Sequence, residues 1–180
     1  VETRRDATLR LRLTTQVIVT ARATFRDLSA AASGEELLGI ASTASSGVVT
    51  ASEIEDRPVA RPGDLAERVP GVIVSQHSGE GKANQYYVRG FNIDHGTDLA
   101  ISVAGMPVNL PTNGHGQGYA DLNFVIPELV GGIQYKKGTS FADEGDFSAA
   151  GAVHMNYLNV LDRPIAKAEV GEDGCGRVLL

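Results

Sequence analysis

Apolar runs in this chain are short, and from Gly47 onward most are bounded on at least one side by glycine or proline. Val48-Val49 follows Gly47, and Val72-Ile73-Val74 follows Pro70-Gly71. Leu99–Val103 runs into Gly105 and Pro107, and Ile133–Lys137 lies between Gly132 and Gly138. Such runs suit strands of about five residues and leave little room for long helices. Glycine (21) and proline (7) make 28 of 180 residues, about 16 % against a usual ~12 %, so the backbone turns often. Tryptophan is absent and aromatics are 6 %, so the core must come from Val, Ile, Leu and Ala. A length of 180 residues allows one domain and a small appendage. Apolar content of 42 % and charged content of 21 % are those of a globular protein, and exclude wholesale disorder and a coiled coil. No run approaches the ~20 apolar residues of a membrane-spanning helix. The N-terminus lacks the apolar core of a signal peptide, so an exported protein with this sequence would be in mature or truncated form. The lone Cys175 excludes an internal disulfide and says nothing about compartment.

The pattern predicts an α+β domain over residues 46–162, a small mixed β-sheet with short helices and long loops. Val48-Val49 starts it. Thr50 with Glu53, or Ser52 with Glu55, supplies a capping box for a short helix ending before Pro58. A second short helix is expected over Gly63–Val69, with Leu65, Ala66 and Val69 on one face, stopped by Pro70-Gly71. Strands follow at Val72–Val74, Gln85–Val88, Leu99–Val103, Ile133–Lys137 and Gly151–Leu158, with a helical turn at Pro127–Val130. Residues 109–121 make a loop long enough to be functional. Ahead of the domain, residues 1–45 read as a tail. Within it, Gln16–Ala21 is β-prone, and the Ala-, Ser- and Gly-rich stretch 29–47 reads as a linker. Residues 163–180 follow the domain.

The net charge of −6 is uneven. Residues 1–27 hold six Arg against Glu2, Asp6 and Asp27, while the remainder carries 10 basic and 19 acidic side chains. An acidic body excludes a general nucleic-acid binder, which needs a basic face to displace counterions. A phosphate-cradling loop fails at Gln76 and Ala83 around Gly81-Lys82, and no G-x-S-x-G elbow occurs. His77, His95 and His115 each lie in or beside a Gly-rich loop and could converge at one end of the domain on a metal or metal chelate. The simpler reading is hydrogen-bonding loop histidines, so no residue is assigned as a metal ligand and no cofactor is expected. Asp143-Glu144-Gly145-Asp146 departs from the calcium-loop register and reads as a solvated turn. A hydrolase built on His77 or His95 with Asp94 or Asp98 lacks a credible nucleophile, so no enzyme activity is expected.

Four segments in order resemble the plug domain of TonB-dependent outer-membrane receptors. They are Val69-Pro70-Gly71-Val72, Tyr87-Val88-Arg89-Gly90-Phe91, Ile101–Pro107, and Ile133-Gln134-Tyr135-Lys136-Lys137-Gly138 with Gly151–Met155 behind it. Gly81–Thr97 and His115–Leu129 also resemble a subgroup of these receptors. The resemblance implies a plug filling the lumen of a barrel of about 22 strands, with a polar outer face. Thr15-Gln16-Val17-Ile18-Val19-Thr20 resembles the TonB box, which a periplasmic TonB-type protein would capture by strand addition. By the same resemblance, Asn113, His115, Gln117 and Tyr119 of the long loop would contact a small-molecule ligand such as a metal chelate. Arg89 and Lys137 would face the receptor's own barrel.

The chain departs from the family pattern at several positions. Ala104 replaces an Asp, Gly131 and Gln134 fall on acidic positions, Lys137 replaces an Arg, and Thr139 a Pro. The barrel itself is absent, since its strands need several hundred residues. Ala168-Glu169-Val170-Gly171 resembles only the approach to a first barrel strand. The expectation is therefore an isolated, soluble plug of an outer-membrane receptor for a scarce nutrient. The alternative is a free-standing carbohydrate- or metal-binding module.

Overall fold

The computed structural model describes residues 40–43, 45–77, 81–161, 164–170 and 176–179. The TonB-box-like segment 15–20 and Cys175 lie outside them. Strand β1 (Ile40–Thr43) pairs antiparallel with β2 (Ser46–Thr50). The stretch read as linker thus supplies a strand. Its Ile-Ala-Ser-Thr composition gives little signal, because an edge strand needs only main-chain partners. A one-turn helix, α1 (Ala51–Glu55), follows, and the Glu53 carboxylate reaches back to the Thr50 N–H at 2.7 Å. Pro62–Arg68 winds as a 3-10 helix rather than an α-helix. Pro62 starts it, Asp64 accepts from the Arg61 N–H at 3.0 Å, and the segment ends after seven residues.

A three-stranded antiparallel sheet comes next: β3 (Val72–Ser75), β4 (Gln85–Val88) and β5 (Phe91–Asn92). The chain then builds β6 (Leu99–Val103), β7 (Met106–Pro107), a 3-10 turn at Pro127–Leu129, β8 (Val130–Lys137), a 3-10 turn at Ala142–Glu144 and β9 (Gly151–Tyr157). These complete a six-stranded mixed sheet in the order β1-β2-β8-β9-β6-β7, in which β6 and β9 run parallel. Alternation drives the burial. Leu99, Ile101 and Val103 of β6 point inward with Val153 and Met155 of β9 and Ile133 and Tyr135 of β8. They meet Tyr86 and Val88 from the smaller sheet and Leu65 and Ala66 from the 3-10 helix in one core. Close approach of β9 to β8 requires Gly151, because a Cβ there would sit 2.3 Å from the Lys136 carbonyl.

Two hairpins share one turn chemistry. Arg89-Gly90 joins β4 to β5 with φ of 52° and 81°, and Ala104-Gly105 joins β6 to β7 with φ of 51° and 79°. Two successive positive φ values are the signature of a type I′ turn, which favours Asn or Asp at the first position. Ala104 therefore sits in a conformation that its side chain disfavours.

Beyond β7, Asn109 fixes the long loop. Its side chain is buried, Oδ1 accepts from the Ile101 N–H at 2.7 Å, and Nδ2 lies 2.9 Å from the carbonyls of Gly96, Leu99 and Gly118. The amide continues the ladder one rung past β7 and ties two loops to it. At the C-terminal end, β10 (Lys167–Val170) and β11 (Gly176–Leu179) form a hairpin. Arg177 grips Glu128 with both prongs at 2.6 Å, and Lys167 adds a contact at 3.0 Å. Among the described residues no helix is long and apolar enough to cross a membrane.

Three outcomes are expected. Asn109→Ala strands a buried N–H and carbonyls, each worth about 1–3 kcal/mol, so urea denaturation should show a loss of about 3 kcal/mol. Ala104→Asn relieves the turn and should raise stability by about 1 kcal/mol in the same assay. The Arg177 hydrogen bonds pull the Glu128 carboxyl down to about 2. Its folded value lies below the unfolded one, so its contribution is fully present above the ordinary carboxylate range and fades as pH falls toward about 2. The protection factors of the β10–β11 hairpin amides, their exchange rates divided into the intrinsic rate at each pH, should therefore fall on acidification, and Glu128→Gln should remove that fall.

Candidate functional site

Three loops meet at one end of the domain. The first follows β3 and carries His77, the second follows β5 and carries Asp94 and His95, and the third is the long loop with His115 and Tyr119. His95 anchors the group. It is 2 % exposed, and its Nδ1 lies 2.9 Å from the Ala83 carbonyl and 3.2 Å from that of Asn84. Both partners only accept, so Nδ1 carries a proton, and Nε2 is the ring nitrogen turned toward the other loops. That Nε2 faces His77 Nε2 at 3.2 Å and Asp94 Oδ1 at 3.6 Å.

The His115 ring packs edge-on to His95, with centroids 4.5 Å apart, and Tyr119 lies 5.6 Å from His95 and 5.9 Å from His115. Local backbone explains the convergence. Asp94 adopts φ of 51°, capped by Asn92 Oδ1 accepting from its N–H at 2.9 Å. The Ala120 N–H donates to the His95 carbonyl at 2.8 Å, which staples the long loop to the histidine turn. Gly118 lets the loop pass, because a Cβ there would meet Phe147 at 2.7 Å and the Thr97 backbone at 2.9 Å.

The four loop residues singled out by the sequence divide between two sides. His115 and Tyr119 join the histidine group. The Tyr119 hydroxyl also accepts from the Ala83 N–H at 2.7 Å, which ties the loop to the segment before β4. Asn113 acts through the backbone, its Oδ1 accepting from the His115 N–H at 2.8 Å. Gln117 instead lines a cleft of about 790 Å³ with Thr97, Asp98, Phe141 and Phe147.

Arg89 occupies its exposed turn and donates to Ser45 Oγ at 2.9 Å. Lys137 lies against residues of its own domain. It is 9 % exposed, its ammonium donates to the Pro70 carbonyl at 2.8 Å, and it lies 5.1 Å from the Tyr135 ring centroid. Burial, aided by the nearby charge of Arg89, holds its pKa below the ordinary lysine value.

The acidic turn is exposed at Asp143, Gly145 and Asp146, as expected of a solvated turn, and Glu144 is its exception. The Glu144 side chain is 7 % exposed and bonds both Lys136 and His154 Nε2, the latter at 2.7 Å, while Asp143 meets Lys136 at 2.6 Å. His154 Nδ1 in turn lies 2.7 Å from Ser102 Oγ. A hydroxyl, an imidazole and a carboxylate in line is the pattern that activates a serine nucleophile. Here Lys136 shares the carboxylate, and Ser102 lies mid-ladder between β9 and β7. The chain of contacts therefore clamps the acidic loop to the sheet. The Ser102–His154 register across parallel strands left no linear motif from which the sequence could disclose it.

The family model described as TonB-dependent Receptor Plug Domain matches residues 40–152. Among solved structures, the siderophore receptor PirA from Acinetobacter baumannii is 26 % identical over 66 % of this chain and 18 % of that one, with a TM-score of 0.51. A mutant of the ferric enterobactin receptor PfeA from Pseudomonas aeruginosa is 24 % identical over 65 % of this chain and 18 % of that one, with a TM-score of 0.50, a likeness of fold. This chain spans less than a fifth of the length of either receptor. The matched region begins at β1 and ends inside β9, so it takes in the three-stranded sheet, the six-stranded sheet up to the start of β9, and all three converging loops. The chain belongs to the TonB-dependent receptor plug domain family.

Proposed function

We propose that this domain gates an energy-coupled outer-membrane receptor and helps to contact its ligand, a scarce nutrient of the metal-chelate class. The observation that carries the reading is the meeting of His95 from the loop after β5 with His115 and Tyr119 of the long loop at one end of a plug fold. Loops held against one another in this way present a shaped polar surface from a rigid scaffold. The similarity to a structure described as a siderophore receptor supports the ligand class. In this reading His115 and Tyr119 touch the ligand, Asn113 orients His115, and Gln117 serves the adjoining cleft. Arg89, on its exposed turn, faces the wall of the barrel that would surround the plug. Lys137, held by Pro70, braces the turn behind it.

The coupling partner is a periplasmic TonB-type protein, captured by Thr15–Thr20. An extended segment with β-branched residues offers free N–H and C=O groups to a sheet edge, and pull on it is passed through main-chain hydrogen bonds. The chain should be retained by an immobilised TonB-type periplasmic domain, and Ile18→Pro, which deletes one donor and blocks pairing, should abolish retention. Equal retention of both chains would remove the assignment of residues 15–20. Failure of both to bind would overturn the coupling itself.

A further inference from the structure

We propose that Asp94, His95 and His115, with His77 as a fourth donor, form a binding site for a divalent transition-metal ion of the zinc class. The site is made by this chain alone and does not rest on the transport reading. The sequence pattern alone assigned no metal ligands, because the donors come from three separate loops with no shared spacing.

The donor atoms of Asp94, His95 and His115 all lie within 4.8 Å of one another. Two closer separations, His77 Nε2 to His95 Nε2 at 3.2 Å and Asp94 Oδ1 to His95 Nε2 at 3.6 Å, bracket the spacing a metal imposes. Ligands about 2.05 Å from a tetrahedral ion stand roughly 3.3 Å apart. His95 is buried and fixed, whereas Asp94, His77 and His115 are exposed and can close by rotamer adjustment.

The arrangement behind His95 is that of a supported ligand. Its Nδ1–H donates to two backbone carbonyls, Ala83 at 2.9 Å and Asn84 at 3.2 Å, which sets the tautomer and aims the Nε2 lone pair at the other donors. A histidine with a merely structural role has no need of a carboxylate and a second imidazole gathered around that lone pair. The donor chemistry selects the ion. Imidazole nitrogens with one carboxylate suit Zn²⁺, Cu²⁺ or Ni²⁺, while Ca²⁺ and Mg²⁺ require oxygen cages.

The test is titration calorimetry of the chain with Zn²⁺ alone, with Ca²⁺ and Mg²⁺ in parallel, and Co²⁺ absorption as a report on geometry. We expect one Zn²⁺ per chain, no heat from Ca²⁺ or Mg²⁺, and intense visible bands of four-coordinate Co²⁺. His95→Gln should weaken Zn²⁺ binding by about tenfold or more. Because His95 is buried and its loss can disturb folding, His115→Ala, at an exposed position, provides the second variant and should weaken binding comparably with an unchanged circular dichroism spectrum. Cys175→Ser should leave binding intact. Absence of Zn²⁺ binding, or affinity unchanged in His115→Ala, would overturn the proposal and leave the group as a hydrogen-bonded histidine stack. Neither result depends on retention by a TonB-type protein, so the two readings fail separately.

Discussion

The buried amide of Asn109 is the contact on which the arrangement of loops depends. It takes the place of a further residue in the β6–β7 ladder, satisfying the Ile101 N–H while meeting the carbonyls of Gly96, Leu99 and Gly118. Those groups belong to the histidine turn, the start of β6 and the long loop. Without a partner at that place, two loops and the start of β6 would leave buried polar groups unpaired, which a core cannot tolerate. One side chain therefore ties two loops and a strand together at this end of the domain. The Ala120 N–H to His95 carbonyl bond and the Tyr119 hydroxyl extend the same fixing outward.

Polar chemistry recurs elsewhere as clamps rather than as scattered surface charge. Glu128 gathers Arg177 and Lys167 to dock the terminal hairpin. Glu144 gathers Lys136 and His154 to hold the acidic loop on the sheet. In both cases a carboxylate with little exposure is matched by two basic groups, so desolvation is offset by several charge-assisted hydrogen bonds. Exposed pairs would contribute little. The turn at Ala104 shows the opposite case, a locally disfavoured conformation held in place by strand pairing on either side.

Much of the sheet was legible because alternation and its stops are local. Leu99, Ile101 and Val103 alternate with Ala100 and Ser102, and Gly105 ends the run, so burial and length follow from the residues themselves. The same holds for β3, β4 and β9, whereas β8 starts at Val130, three residues before the expected Ile133, because Gly131 and Gly132 carry no side chains that could show alternation. The capping residues Thr50 and Glu53 likewise announced α1. β1 was not legible, because an edge strand of small polar residues is defined by the partner it finds. The 3-10 winding of Pro62–Arg68 was hidden because helical pattern alone does not separate two periodicities over seven residues.

The residues alone determined a Val-, Ile- and Leu-built mixed sheet, punctuated by Gly and Pro, and the order of motifs that marks the family. Only the tertiary structure decided where the polar side chains would go. Lys137 turns inward because the Pro70 carbonyl and the Tyr135 ring receive it. Ser102, His154 and Glu144 align because β6 and β9 pair in parallel register. His77, His95 and His115 meet because three loops, 18 and 20 residues apart in the chain, are drawn together by backbone carbonyls and one buried amide. Apolar patterning is a property of neighbours in sequence. A polar cluster is a property of neighbours in space, and hydrogen bonds with fixed directions select those neighbours only once the core has closed.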